Sequence, residues 1–253
     1  MSKYIMILDT ETTSLDKPFC YDLGYPIVNA ETGDIVEQKH FVVEQTWHNL
    51  PLFESAYYKE KRQLYIPLMR SRKAKMDKWG YIMQEMTRDI KKYDITEVYA
   101  YNSPFDDNVI QFNCDWFKCI NPLDNVAVYD IRGYASQFIT NTEEYKAYCE
   151  RHELFTETGN YSGTAESVYR FITGDSNFEE AHIGLYDAQI ESGILMYCLD
   201  HGAELATEYK VTKSIVRPTV KPFTIKVNGT VVYTGEYLKK YNRNDVYNFT
   251  VKE

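Results

Sequence analysis

Three short segments carry carboxylates and a histidine at spacings that can do chemistry. Asp9-Thr10-Glu11 ends the apolar run Tyr4-Ile5-Met6-Ile7-Leu8. Residues i and i+2 of a strand point to the same side, about 7 Å apart, so both carboxylates face one point. Carboxylates that close repel unless a proton or a cation intervenes. A hard divalent ion such as Mg²⁺, which takes oxygen ligands and keeps some water, meets that need. A bare D-x-E is more often a solvated turn, so this segment alone decides nothing. Asn102-Ser103-Pro104-Phe105-Asp106 places Asp106 in the first turn of a helix, where a lone carboxylate complements the helix dipole. His182 and Asp187 are five apart at the head of the last helical pattern. In one continuous helix they would face about 140° apart, so convergence requires His182 on the preceding loop, a break that Gly184 permits. Alone, His182 reads as a hydrogen-bonded structural residue.

The elements that must position these groups follow from periodicity. Residues 3–9 read as a buried strand, because five apolar residues in a row suit the middle of a sheet. Residues 26–44 read as two strands joined at Thr32-Gly33-Asp34, and 52–93 as helices carrying Trp79, Ile82, Met83, Met86 and Ile90 on one face. A strand at Glu97–Tyr101 precedes a helix with Ser103 as N-cap and Pro104 at its first position, running to about Phe112. A strand at Val126–Tyr129, helices near 131–150 and 162–172, and a last helix from about Leu185 to Leu199 complete the body. This order predicts an α/β fold, a mixed sheet flanked by helices, with ligands where a central strand leaves the sheet. Past Gly202, Pro218 and Pro222 flank a linker, and Phe223–Val227, Asn228-Gly229 and Thr230–Thr234 spell a hairpin with a type I′ turn. The expected division is a domain over 1–202 and a small basic appendage over 203–253.

Composition bounds the function classes. The chain has 253 residues, 44% hydrophobic and 26% charged, which excludes wholesale disorder and allows one domain plus an appendage. Five cysteines, odd in number and without C-x-x-C, argue against a disulfide framework or a four-ligand zinc site and for a reducing, cytoplasmic setting. No apolar run approaches the length of a membrane span. The net charge of −9 is unevenly spread. Lys59–Lys78 holds eight basic residues against Glu60 and Asp77, and Lys210 to the end holds nine against three. Such stretches can attract phosphates while the body stays acidic, although a solvated helix face is the commoner reading. Tyr57, Tyr58, Tyr65 and Trp79, interleaved with the first stretch, are candidates to stack on unpaired bases. Most of the 23 tyrosines are expected at core edges.

Taken together, the three segments resemble the DEDDh branch of the DEDD 3′→5′ exonucleases, of RNase H-like fold. The motifs are Asp9-Thr10-Glu11-Thr12-Thr13-Ser14-Leu15, Asn102 to Asp106, and His182 to Asp187 at the H-x4-D spacing, and the likeness spans roughly residues 1–200. The departure is Ser14, where the family usually has glycine. The resemblance implies two Mg²⁺ or Mn²⁺ ions, with Asp9 bridging both, Glu11 and Asp187 completing the first and Asp106 holding the second. It implies catalytic roles for Glu11 and for His182, the latter as general base. Thr12, Thr13, Leu15, Asn102 and Phe105 would hold the terminal nucleotide. The expected partner is a 3′ end of DNA or RNA, shortened to 5′-mononucleotides in a bacterial or phage-infected cytoplasm. A catalytically weak nucleic-acid-binding module, a homodimer, and a proofreading subunit docked on a polymerase through residues 203–253 are the alternatives left open.

Overall fold

A computed structural model describes residues 3–212, 216–217, 219–227 and 230–239. The chain order is β1 (Tyr4–Ile7), β2 (Asp9–Thr12), β3 (Cys20–Asn29), β4 (Ile35–Val43), α1 (Glu44–His48), α2 (Leu50–Phe53), a 3₁₀ turn (Lys59–Lys61), α3 (Arg62–Arg70), β5 (Lys75–Asp77) and α4 (Trp79–Lys92). There follow β6 (Glu97–Ala100), α5 (Ser103–Phe117), β7 (Ala127–Asp130), α6 (Ile131–Ala135), a π turn (Ser136–Thr140), α7 (Glu143–His152), α8 (Ala165–Thr173) and α9 (Gly184–Asp200). The last elements are β8 (Thr219–Val227) and β9 (Thr230–Lys239).

Seven strands form one mixed sheet in the order β5-β4-β3-β1-β6-β7, with β2 also paired to β3. The β1–β3, β2–β3 and β3–β4 pairs are antiparallel, and β1–β6, β6–β7 and β4–β5 are parallel. Alternation in β1 splits the core. Ile5 and Ile7 pack under α6–α9, while Met6 and Leu8 pack under α4 and α5. A third cluster joins Tyr21, Val42, Trp47, Phe53 and Tyr65 to Ile183, just ahead of α9. Among the described residues no helix is long and apolar enough to cross a membrane.

Several elements differ from expectation. The first strand breaks at Leu8, and Asp9 opens a strand of its own, β2. Asn102, in the left-handed region at φ 69°, occupies the N-cap of α5, and Ser103 is already helical. The short β5 has no readable pattern because three residues at a sheet edge carry no period. Pro222 lies inside β8, opposite Glu236, rather than in a linker, which a two-stranded ribbon tolerates because each strand has a free edge. The turn Asn228-Gly229 and residues 240–253 lie outside the described residues. Just past Gly202, Ala203, Leu205 and Tyr209 pack on the α6–α9 layer, and the Ala206 amide donates to the Tyr99 hydroxyl at 2.9 Å.

One close approach sets the position of α9. Gly24 on β3 pairs with Asp9, and a Cβ there would overlap the backbone of Leu185. A Cβ on Gly184 would lie 3.0 Å from the Gly24 nitrogen and 3.1 Å from the Asp9 carbonyl. Two missing side chains therefore bring the start of α9 onto the strand pair that carries Asp9. Gly24→Ala is expected to destabilise the protein by several kcal/mol, about 10 °C or more in Tm, because rigid backbone would have to move. Gly159→Ala, where nothing lies within 4 Å and only the φ of +79° opposes a side chain, is expected to cost about 1 kcal/mol. Thermal melts of the two variants read the difference, and equal melts would show that the contact at Gly24 is slack.

Candidate active site

Each acidic side chain is positioned by a different element. Asp9 and Glu11 project from β2, whose antiparallel register sets them beside Gly24 and Asp22 of β3. Thr10, between them, is buried and donates from its amide (3.0 Å) and its hydroxyl (2.7 Å) to Oδ1 of Asp106. That pair of bonds ties the first turn of α5 to β2. Asp187 stands in the first turn of α9, where its Oδ2 accepts the Ile183 amide at 2.9 Å.

A fully buried acid that the sequence pattern hid, Asp22, anchors this end of α9. It accepts from the Gly184 amide (2.8 Å) and the Tyr65 hydroxyl (2.7 Å), and it is hydrogen-bonded to His40 Nε2 at 2.8 Å. Nothing local distinguishes Asp22 from a surface acid, since only its three partners, distant in sequence, reveal its work.

His182 lies on the loop before α9, in the left-handed region at φ 50°, as convergence with Asp187 required. Ligand atoms of Glu11, His182 and Asp187 all fall within 4.8 Å of one another. The imidazole stacks on Tyr58, with centroids 4.2 Å apart and planes at 15°. Lys61 caps that stack, its Nζ 4.8 Å from the Tyr58 ring centroid and donating to the Ala181 carbonyl at 2.6 Å. The start of the basic segment therefore reaches the site.

Two more acids join the cluster. Glu191, one turn beyond Asp187, is 3% exposed and accepts the Tyr101 amide at 3.0 Å. Glu180 interacts electrostatically with Glu11 and Asp187. An i, i+4 spacing from Asp187 was the available signal for Glu191. For Glu180 there was none, because it sits on an irregular loop. Asp9, Glu180 and Glu191 line a cavity of about 370 Å³ with Tyr101, Asn102 and Arg132.

Crowded and desolvated carboxylates resist ionisation. Burial, with Thr10 opposing, lifts Asp106 to about 7. Burial and then the charge of Glu180 lift Asp187 to about 8. Burial likewise raises Asp9, where Glu191 is the leading neighbouring charge, and Glu11, where Asp22 leads. Burial and the Lys61 ammonium lower His182. Asp9 Oδ2 and Asp187 Oδ1 are buried with no hydrogen-bond partner. Unpartnered buried oxygens among several carboxylates fit divalent cations, hard ions that bind oxygen ligands.

The other sequence candidates are dispersed. Asn102 lines the cavity. The Thr12 hydroxyl donates to the Ser14 carbonyl at 3.3 Å, Thr13 is buried, Leu15 is 83% exposed, and Phe105 packs partly buried against the core on the α4–α5 side. Tyr65 and Trp79 are fully buried and so cannot stack on bases: one serves Asp22, and the other opens α4 in the core. Tyr57 remains exposed, and Tyr58 is engaged by His182.

No protein-family model matches the chain, and no curated protein sequence is similar to it. Solved structures are. The nuclease domain of 3′hExo, a DEDDh family member bound to rAMP, is 12% identical with a TM-score of 0.51, covering 84% of this chain and 97% of that one. A 3′-exonuclease recognising a histone mRNA stem-loop is 12% identical with a TM-score of 0.54, covering 95% and 92%. An exonuclease I from Methylocaldum szegediense is 15% identical with a TM-score of 0.53, and the match covers 79% of this chain but 41% of that one. The chain is an α/β protein of RNase H-like fold. That fold is the one these solved exonuclease structures have.

The raised carboxylates make stability depend on pH. Asp106 and Asp187 move from an ordinary 3.8 to about 7 and about 8, so the folded chain holds protons that the unfolded chain has released. The favourable contribution is complete below pH ~4 and is lost as pH rises through 7 to 8. The metal-free protein is expected to lose about 5–10 °C of Tm between about pH 5.5 and 8.5, a fall that saturating Mn²⁺ removes. A flat melting profile without metal would mean that these acids ionise without penalty.

Proposed function

We propose that this chain is a metal-dependent 3′→5′ exonuclease that hydrolyses the terminal phosphodiester of DNA or RNA and releases 5′-mononucleotides. The observation that carries the reading is the gathering of Glu11, His182 and Asp187 within 4.8 Å, beside Asp9, whose buried Oδ2 has no partner. The resemblance to known exonuclease structures supports it. In this reading Asp9, Glu11 and Asp187 would hold one Mg²⁺ or Mn²⁺ ion, and Asp9 and Asp106 would hold a second. Bound ions would offset the negative charge of the acids, lower the pKa of a water and clamp the attacking and leaving oxygens of an in-line displacement.

The remaining chemistry belongs to the chain's own side chains. His182 accepts the proton of the attacking water; the burial and the Lys61 charge that lower its pKa keep the imidazole neutral and receptive at physiological pH. Tyr58 holds the ring by stacking, and Lys61 holds the loop through Ala181. Asn102, which lines the cavity, and Thr12, which follows Glu11 on β2, would meet the terminal nucleotide, and the basic segment from Lys59 would attract the incoming strand. The requirement for a 3′ end is carried over from the resemblance to the 3′-exonucleases.

A 5′-labelled oligonucleotide incubated with Mg²⁺ tests the reading. It is expected to shorten stepwise from its 3′ end, with Asp9→Asn and Asp187→Asn slower by about 10³-fold or more. Interior cuts, shortening from the 5′ end, or an Asp9→Asn protein as active as wild type would overturn it. Tyr58→Ala is expected to lower kcat about tenfold, while Tyr58→Phe, which keeps the stacking face, stays within about twofold. Equal losses in the two would assign the effect to the hydroxyl instead of the stack.

A further inference from the structure

Glu191 is the buried acid that neither the motif spacing nor the resemblance uses. It is 3% exposed, one helical turn from Asp187 and on the same face of α9. Its Oε2 accepts the Tyr101 amide, and among the described residues no donor meets its other oxygen. Arg132 lines the same cavity, yet no ion pair joins it to Glu191 among the described residues. The charges around Glu191 are Asp106, Glu180 and Asp187, and it is itself the leading charge acting on Asp9.

A role confined to accepting the Tyr101 amide would be met by glutamine without adding buried charge. A carboxylate among carboxylates is costly unless a cation is shared. The neighbouring groups point the same way. Asp9 Oδ2 and Asp187 Oδ1 are buried without partners, and Asp187 is itself 3% exposed. Oδ1 of Asp106 is already occupied by two donors from Thr10, which leaves one oxygen for an ion. A second ion served only by Asp9 and that one oxygen would be weakly held, and Glu191 lines the same cavity as Asp9 with one carboxylate oxygen to offer.

We propose that Glu191 is a ligand of the second divalent ion, together with Asp9 and Asp106, an inference that rests on the two-ion reading of the cluster. Mn²⁺ binding to the metal-free full-length chain, counted by the EPR signal of free Mn²⁺ and by calorimetry, tests both levels separately. Wild type is expected to bind two Mn²⁺. Glu191→Gln, which still accepts the Tyr101 amide, is expected to keep the tighter ion and to bind the weaker one at least tenfold less well. Fewer than two ions on wild type would overturn the two-ion reading and this inference with it. Two ions on wild type with unchanged affinities in Glu191→Gln would overturn the inference alone. Without metal, Glu191→Gln is expected to melt higher than wild type at pH 8, since a like charge is gone. A variant that melts lower or fails to fold would show a structural role for the carboxylate and overturn the assignment.

Discussion

Like charge held out of water is the constraint around which this molecule is organised. Asp9, Glu11, Asp106, Glu180, Asp187 and Glu191 act on one another electrostatically at one end of the sheet, where little solvent screens them. Such a cluster opposes its own assembly, so something else must hold the elements that carry it. The holding is done by uncharged contacts and by one acid outside the cavity. Gly24 and Gly184 let α9 lie against β3, Asp22 ties the Gly184 amide to His40 and Tyr65, and Thr10 ties α5 to β2. Apolar clusters on both faces of the sheet supply the remaining cohesion.

The uneven charge of the chain acquires a meaning from this arrangement. A chain of net −9 is poorly suited to approach a polyanion, but Lys61, near the start of the basic segment, reaches the edge of the acid cluster. Lys61 lowers the pKa of Glu11, Glu180 and Asp187 and also that of His182, so one ammonium favours the ionised acids and the neutral imidazole together. Tyr58 converts the same segment into a support for the histidine ring. Lys61 is thus part of the site's surroundings, while Arg72 and Lys73, later in the same stretch, line a separate cavity.

Much of the fold was legible because the relevant physics is local. Alternation and apolar runs report a strand's faces, so β4, β6 and β7 appeared close to their observed places, and the break before α9 followed from the demand that His182 and Asp187 face each other; β3, expected from Pro26, begins six residues earlier at Cys20. What escaped was short or non-local. β5 is three residues of edge pairing, and the N-cap of α5 shifted by one residue because Asn102 tolerates a left-handed backbone. Tyr65 and Trp79 alternate with cations like surface aromatics, but tertiary packing buries both.

The amino-acid sequence by itself determined the element types, the sheet-and-helix class, and the spacings that put Asp9, Glu11, Asp106, His182 and Asp187 at element ends. Those properties depend on neighbours within a few residues, where backbone geometry is shared by all proteins. Only the tertiary structure decided that Asp22 is an anchor, that Glu180 and Glu191 enlarge the acid cluster, and that Tyr58 and Lys61 attend the histidine. Each of those roles is set by burial and by partners from remote segments, and desolvation leaves no trace in residue order.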